Sequence, residues 1–161
     1  MSNVFFISDT HFGHANIIQY GNRPFADVTE MNQEMVLRWN YAVTKRDTVY
    51  HLGDLGMGKE SLELIKHLNG RKILIIGNHD TLPMTDYIEA FSKVHAMLTY
   101  KGYWLTHCPI HPNELFSKKN IHGHIHNKNI DDERYINVSV EQINYTPMPF
   151  ERIVNGTWKN G

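Results

Sequence analysis

Eleven histidines are spread along this 161-residue chain without forming a tract. Several stand in short polar strings with aspartate or asparagine: Asp9-Thr10-His11, Gly53-Asp54, Gly77-Asn78-His79-Asp80, His107, and Gly123-His124-Ile125-His126. Imidazole nitrogens with carboxylate and amide oxygens suit Mn, Fe, Zn or Ni, and with Cys108 the only cysteine there is no soft thiolate cage. Asp9, His11, Asp54, Asn78, His107, His124 and His126 exceed what one tetrahedral ion takes from protein, so two ions sharing a bridging carboxylate are expected. Two divalent cations outweigh two aspartates and a hydroxide. Such a site stays net positive and should attract phosphate anions.

The strings sit where strands should end. Residues 3–8, 48–52 and 71–76 read as buried strands leading into Asp9, Asp54 and Asn78, while Leu105-Thr106 precedes His107 and Ile121-His122 precedes Gly123. Between the first three, helices are expected over 27–45, opened by an Asp27/Glu30 capping box, and over 59–68, stopped by Asn69-Gly70. A short helix over 86–91 and strands over 94–100, 103–106, 120–122, 134–140 and 150–154 complete the pattern. The class is α/β, and clefts of such folds open at the C-terminal ends of strands, where all seven candidates gather.

Composition bounds the rest. The length and a 41% hydrophobic content fit one domain over 1–161. Sixteen basic against 17 acidic residues give no basic field that would advertise nucleic acid. The N-terminal apolar run is too short for a signal peptide or membrane span, so the cytoplasm is the expected compartment, with no membrane contact and no obligate protein partner. Cys108 is expected to be a buried small hydrophobe, and His51 and His122, inside strand runs, packed groups.

The ordered blocks DTH at 9–11, GD at 53–54, GNHD at 77–80, H at 107 and GHIH at 123–126 resemble the calcineurin-like metallophosphoesterase superfamily, in its small single-domain bacterial or phage form. The likeness covers residues 4–126. It implies a two-sheet β-sandwich flanked by helices. It also implies one ion on Asp9, His11 and His126, a second on Asn78, His107 and His124, and Asp54 bridging the two, with manganese the first expectation. A bridging water or hydroxide would be the nucleophile and His79 the general acid, its imidazole oriented and charged by Asp80. Gly77 would permit a tight turn off the strand.

The resemblance leaves the substrate open. His14 and Arg23, on the polar stretch 14–25 that follows DTH, are expected to touch it, a guanidinium fork suiting phosphate oxygens; the alternative is a plain turn leading into the next helix. His111 is a candidate for the mouth of the cleft. Nuclease relatives append capping regions, and only 35 residues follow GHIH, which favours a phosphodiester of a nucleotide or short single-stranded nucleic acid. Two other readings are a phosphomonoesterase or protein phosphatase, and a non-catalytic metal-binding scaffold such as a retromer subunit with eroded histidines.

Overall fold

Val4–Ile7, the strand β1, is apolar throughout, with Phe6 and Ile7 essentially without solvent exposure. A strand buried on both faces needs parallel partners and helices above it. In the computed structural model, which describes residues 1–160, both are present. Thr48–His51 (β2) runs parallel to β1, Arg71–Ile75 (β3) parallel to β2, and Lys93–His95 (β4) parallel to β3. Met148–Pro149 (β9) adds an antiparallel edge, so the first sheet has the order β4-β3-β2-β1-β9.

The crossovers carry helices. The first, Ile17–Tyr20 (α1), is a single turn inside the stretch read from sequence as a loop. The second, Val28–Ala42 (α2), buries Met31, Met35 and Trp39 at helical spacing. The capping box forms in modified shape: the Asp27 side chain accepts from the Glu30 amide, while the Glu30 carboxylate reaches back to the Ala26 amide. Gly58–Lys66 (α3) and Met84–Ala90 (α4) follow their strands.

A second mixed sheet, β5-β6-β7-β8, faces the first. Its strands are Leu98–Tyr100 (β5), Tyr103–Leu105 (β6), Lys119–His122 (β7) and Tyr135–Asn137 (β8), with β6, β7 and β8 mutually parallel. Tyr100 from this sheet packs against Phe6 and Tyr50 of the other, ring centroids 6.1 and 5.5 Å apart. The fold is thus two mixed sheets flanked by helices, as the sequence suggested.

Beyond α1 and the unforeseen edge strand β9, two expected strands take another form. Residues 94–100 are not one strand: β4 completes the first sheet, the chain bends, and β5 opens the second. No glycine or proline marks the bend in residues 94–100, so composition hides it. Residues 150–154 form a helix (α5, Phe150–Val154) rather than a strand. Pro149, with φ −68°, is preset for a helix start, and of the five only Ile153 is fully buried.

The parallel arrangement decides where chemistry can occur. β1, β2 and β3 point their C-terminal ends to one edge, and β6 and β7 do the same in the second sheet. A bridge between Ser8 and Ser139 stitches the two edges together.

Candidate metal centre

Asp9 Oδ1 lies 3.9 Å from His11 Nε2 and 3.6 Å from His126 Nε2, and His11 Nε2 lies 3.6 Å from Asp54 Oδ2. The same Asp54 Oδ2 is 3.3 Å from His107 Nε2, which is 2.8 Å from Asn78 Oδ1 and 3.2 Å from His124 Nδ1. His124 Nδ1 and Asn78 Oδ1 are 3.1 Å apart. Neighbouring donors of a tetrahedral ion stand about 3.4 Å apart when each bond is about 2.1 Å. The seven candidates therefore form two adjoining donor groups with ion-like spacing, and one oxygen of Asp54 belongs to both.

Two buried atoms test whether a cation fits. Asp9 Oδ1 and His11 Nε2 have no hydrogen-bond partner among the described residues, although Asp9 is wholly buried. An unpaired carboxylate oxygen facing an unpaired imidazole nitrogen costs free energy unless something positive lies between them. The electrostatics divide the cluster: burial lowers His11 to about 3 and lowers His124 as well. Burial lowers His107, yet its hydrogen bond to Asp54 and the charges of Asp9 and Asp54 raise it above the ordinary histidine value. Burial lowers His126 too, but a hydrogen bond to Glu141 and the charge of Asp9 raise it overall.

The imidazoles are held by their other nitrogens. His107 Nδ1 pairs with the Leu52 carbonyl at 2.7 Å, aiming Nε2 at Asp54 and Asn78. His126 Nδ1 pairs with Glu141 Oε1 at 2.9 Å, aiming Nε2 at Asp9. Asp9 Oδ2 accepts from the His124 amide at 2.8 Å and from Ser139 Oγ at 3.0 Å, which leaves Oδ1 facing inward.

Five of the seven candidate ligands have a left-handed backbone: Asp9 (φ 58°), His11 (49°), Asp54 (55°), His124 (72°) and His126 (48°). Aspartate and histidine tolerate this region better than most residues, but it still costs about 1–3 kcal/mol at each position. Close packing of the loops enforces it. Asp9, His11 and Phe12 donate their amides to the carbonyls of Gly53, Asp54 and Leu55. The chain turns tightly off β3 as expected, the Asp80 amide donating to the Gly77 carbonyl at 3.2 Å, but Gly77 itself has no positive φ; a Cβ there would strike the Asp54 amide and Asp54 Oδ1. Glycine is needed for close approach.

The geometry gives three of the candidates contacts other than those expected. Arg23 does not face the cleft: its side chain is fully buried and donates to the carbonyls of Asp9 (2.7 Å) and Thr10 (2.8 Å) and to Glu141 Oε1 (2.9 and 3.0 Å). It fixes the strained Asp9 turn from behind. Asp80 does not reach the His79 ring; its carboxylate accepts the amides of Asp54, Leu55 and Gly77 at 2.8–2.9 Å, clamping two ligand loops together. His111 is exposed and caps the 3-10 turn Pro112–Glu114, its Nδ1 accepting from the Asn113 amide.

The other residues are placed as follows. His79 is exposed; its amide donates to Asp54 Oδ1 at 2.9 Å, and its ring centroid is 5.9 Å from that of His11. His14 is half-buried, its ring 5.6 Å from His11. Cys108 is exposed rather than buried, with its sulfur within 4.8 Å of ligand atoms of His107 and His124. Burial, then the charges of Asp54 and Asp9, push its thiol up, so it stays protonated at neutral pH. His51 and His122 are buried as expected; His51 contacts Thr10 Oγ1 and accepts from the Gly53 amide, bracing the first two loops. Glu141 carries no motif around it, and sequence reasoning missed it.

Two hollows flank the cluster and share His11, His14 and His79. The larger, about 560 Å³, is walled by Ile17, Tyr20, Ile125 and Lys128; the smaller, about 230 Å³, by Met57, Leu82 and Tyr87. Among the described residues, no helix is long and apolar enough to cross a membrane.

An uncharacterized protein of Methanocaldococcus jannaschii is 41% identical over 168 residues, covering 96% of this chain and 90% of its own. The gene 66 protein of Mycobacterium phage L5 is 40% identical over 85 residues, or 50% of this chain and 41% of its own. Among solved structures, a protein of unknown function from Aquifex aeolicus superposes with a TM-score of 0.78 at 28% identity, over 96% of this chain and 99% of the other. The calcineurin-like phosphoesterase family model matches residues 2–160, and with the metal-ligating geometry above, the chain belongs to that family.

Proposed function

We propose that this protein is a phosphodiesterase that hydrolyses a nucleotide or a short single-stranded nucleic acid, using two divalent ions, Mn²⁺ first among those its donors suit. Asp9, His11 and His126 would hold one ion, Asn78, His107 and His124 the other, and Asp54 both. Bound there, the ions supply an acidified water and neutralise charge on the phosphoryl oxygens.

The observation that carries the diester reading is the pair of hollows meeting at His14 and His79. A phosphoryl group over the cluster has room for an ester group on either side, whereas a monoester would use one arm. His79 stands at the junction and belongs to neither donor group. Its amide is tied to the carboxylate both groups share, which anchors the His79 backbone beside the donor groups. A protonated imidazole there can deliver its proton to the departing ester oxygen. Asp80 contributes by holding the loop, and His79 acts without a carboxylate partner.

The test is His79→Ala in Mn²⁺ against diesters of graded leaving group. Bound metal should remain at the wild-type level, while turnover falls about 10²- to 10⁴-fold for an alkoxide leaving group and less for nitrophenolate, which needs no proton. Equal losses across the series would remove His79 from the acid role. A wild-type preference for phosphomonoesters over matched diesters would sink the diester reading.

A further inference from the structure

The larger hollow has features that hydrolysis at the metal positions does not require. Its volume of about 560 Å³ is well within the range of small-ligand pockets and far more than a phosphoryl group fills. Beyond the histidines its wall is Ile17, Tyr20, Gly21, Ile125, Asn127 and Lys128, without a carboxylate. Tyr20 is 76% exposed, an aromatic face left to water beside a highly polar centre. Its position is built. Ile17, on the same helical turn, is buried, and Asn127 Nδ2 donates to the Gly21 carbonyl at 2.8 Å, tying α1 to the loop that carries His124 and His126.

We propose that this hollow is the nucleobase subsite of the phosphoester, an assignment that rests on the phosphodiesterase reading and names its substrate as nucleotidyl. A base offers a planar π-face to Tyr20 and covers the aliphatic wall of Ile17 and Ile125. Lys128, exposed on the same wall, supplies a cation for a further phosphate of the chain. A single aryl ring would leave most of the volume empty, which favours base plus sugar over a tyrosyl group. The smaller hollow, lined by Met57 and Leu82, takes the other ester group.

The experiment is calorimetric binding of thymidine 5′-monophosphate, phenyl phosphate and inorganic phosphate to the Mn²⁺-loaded protein. The wild type should bind the nucleotide more tightly than phosphate or phenyl phosphate. Base stacking worth about 1–3 kcal/mol means that Tyr20→Ala lowers the nucleotide-to-phosphate affinity ratio about 5- to 150-fold, and Tyr20→Phe restores it. Lys128→Ala should weaken a 5′-phosphorylated dinucleotide more than the mononucleotide and flatten its salt dependence. An unchanged ratio in Tyr20→Ala, or phenyl phosphate binding as tightly as the nucleotide, would overturn the assignment. Nucleotide selectivity without turnover of any ester would defeat the hydrolase reading and leave the subsite standing; turnover without nucleotide selectivity would do the reverse.

Discussion

Arg23→Met separates a buried fastening from a substrate contact. The guanidinium is fully buried, and its partner Glu141 has a side chain only 2% exposed. Removing it leaves the Glu141 charge facing only His126 and strips the carbonyls of Asp9 and Thr10 of their donors. Breaking one side of a buried ion pair costs about 3–5 kcal/mol. For a chain of this length each kcal/mol moves the melting temperature by about 2–4 °C, so the variant should melt about 6–20 °C lower. Because the Asp9 turn is strained and Arg23 holds it, metal should also be lost preferentially from the position shared by Asp9, His11 and His126. The assay is calorimetric melting with and without Mn²⁺, with metal content by elemental analysis. Arg23→Met/Glu141→Gln tests the pairing: with both charges gone, the double variant should lose less than the sum of the singles, by a few kcal/mol. An Arg23→Met protein that melts within about 2 °C of wild type, keeps both metals and shows only a raised KM would refute the fastening role.

Gly77→Ala should shift Asp54, because the new methyl meets backbone and carboxylate atoms that cannot yield; a loss of about 1–3 kcal/mol with metal lost from both positions is expected by melting and metal analysis. Gly102→Ala, strained by φ +86° but with no atom within 4 Å of the new Cβ, should cost stability and leave metal content at the wild-type level. Metal binding should release protons from His107 and His126, whose pKa values lie above the ordinary 6.5, so affinity falls as pH drops through and below them; calorimetry in buffers of different ionisation enthalpy measures the release. The metal-free chain should weaken in acid because burial lowers His51 to about 3. A lowered histidine contributes stability above its unfolded value of 6.5 that is lost as pH falls from there toward 3, by up to about 1.4 kcal/mol per pH unit; in chelator, the acid limb of His51→Gln should be shallower than that of wild type.

The ligand strings were legible because metal chemistry restricts residue type and because the first and third follow apolar runs, Val4–Ile7 and Ile73–Ile76, that read as buried strands. What held the strings in place was not legible, for a physical reason. Arg23 and Glu141 are 118 residues apart and meet only once the sheets are assembled, and neither has a neighbour whose spacing reveals the pairing. Arg23 stood in a polar, turn-rich stretch, and such composition describes a surface loop equally well as a buried arginine with every donor satisfied. Asp80 was misread for a similar reason: beside His79 in sequence, it is turned toward the amides of another loop, and sequence adjacency carries no direction. The left-handed backbone at Asp9, His11, Asp54, His124 and His126 ties these cases together. Five strained residues within one cleft cannot be sustained by their own preferences, so the surrounding contacts must be numerous and buried: Arg23 behind Asp9, Asp80 between Asp54 and Gly77, His51 against Thr10. Such a framework fixes the ligands at ion-like spacing, with Asp9 Oδ1 and His11 Nε2 turned inward and without a hydrogen-bond partner among the described residues.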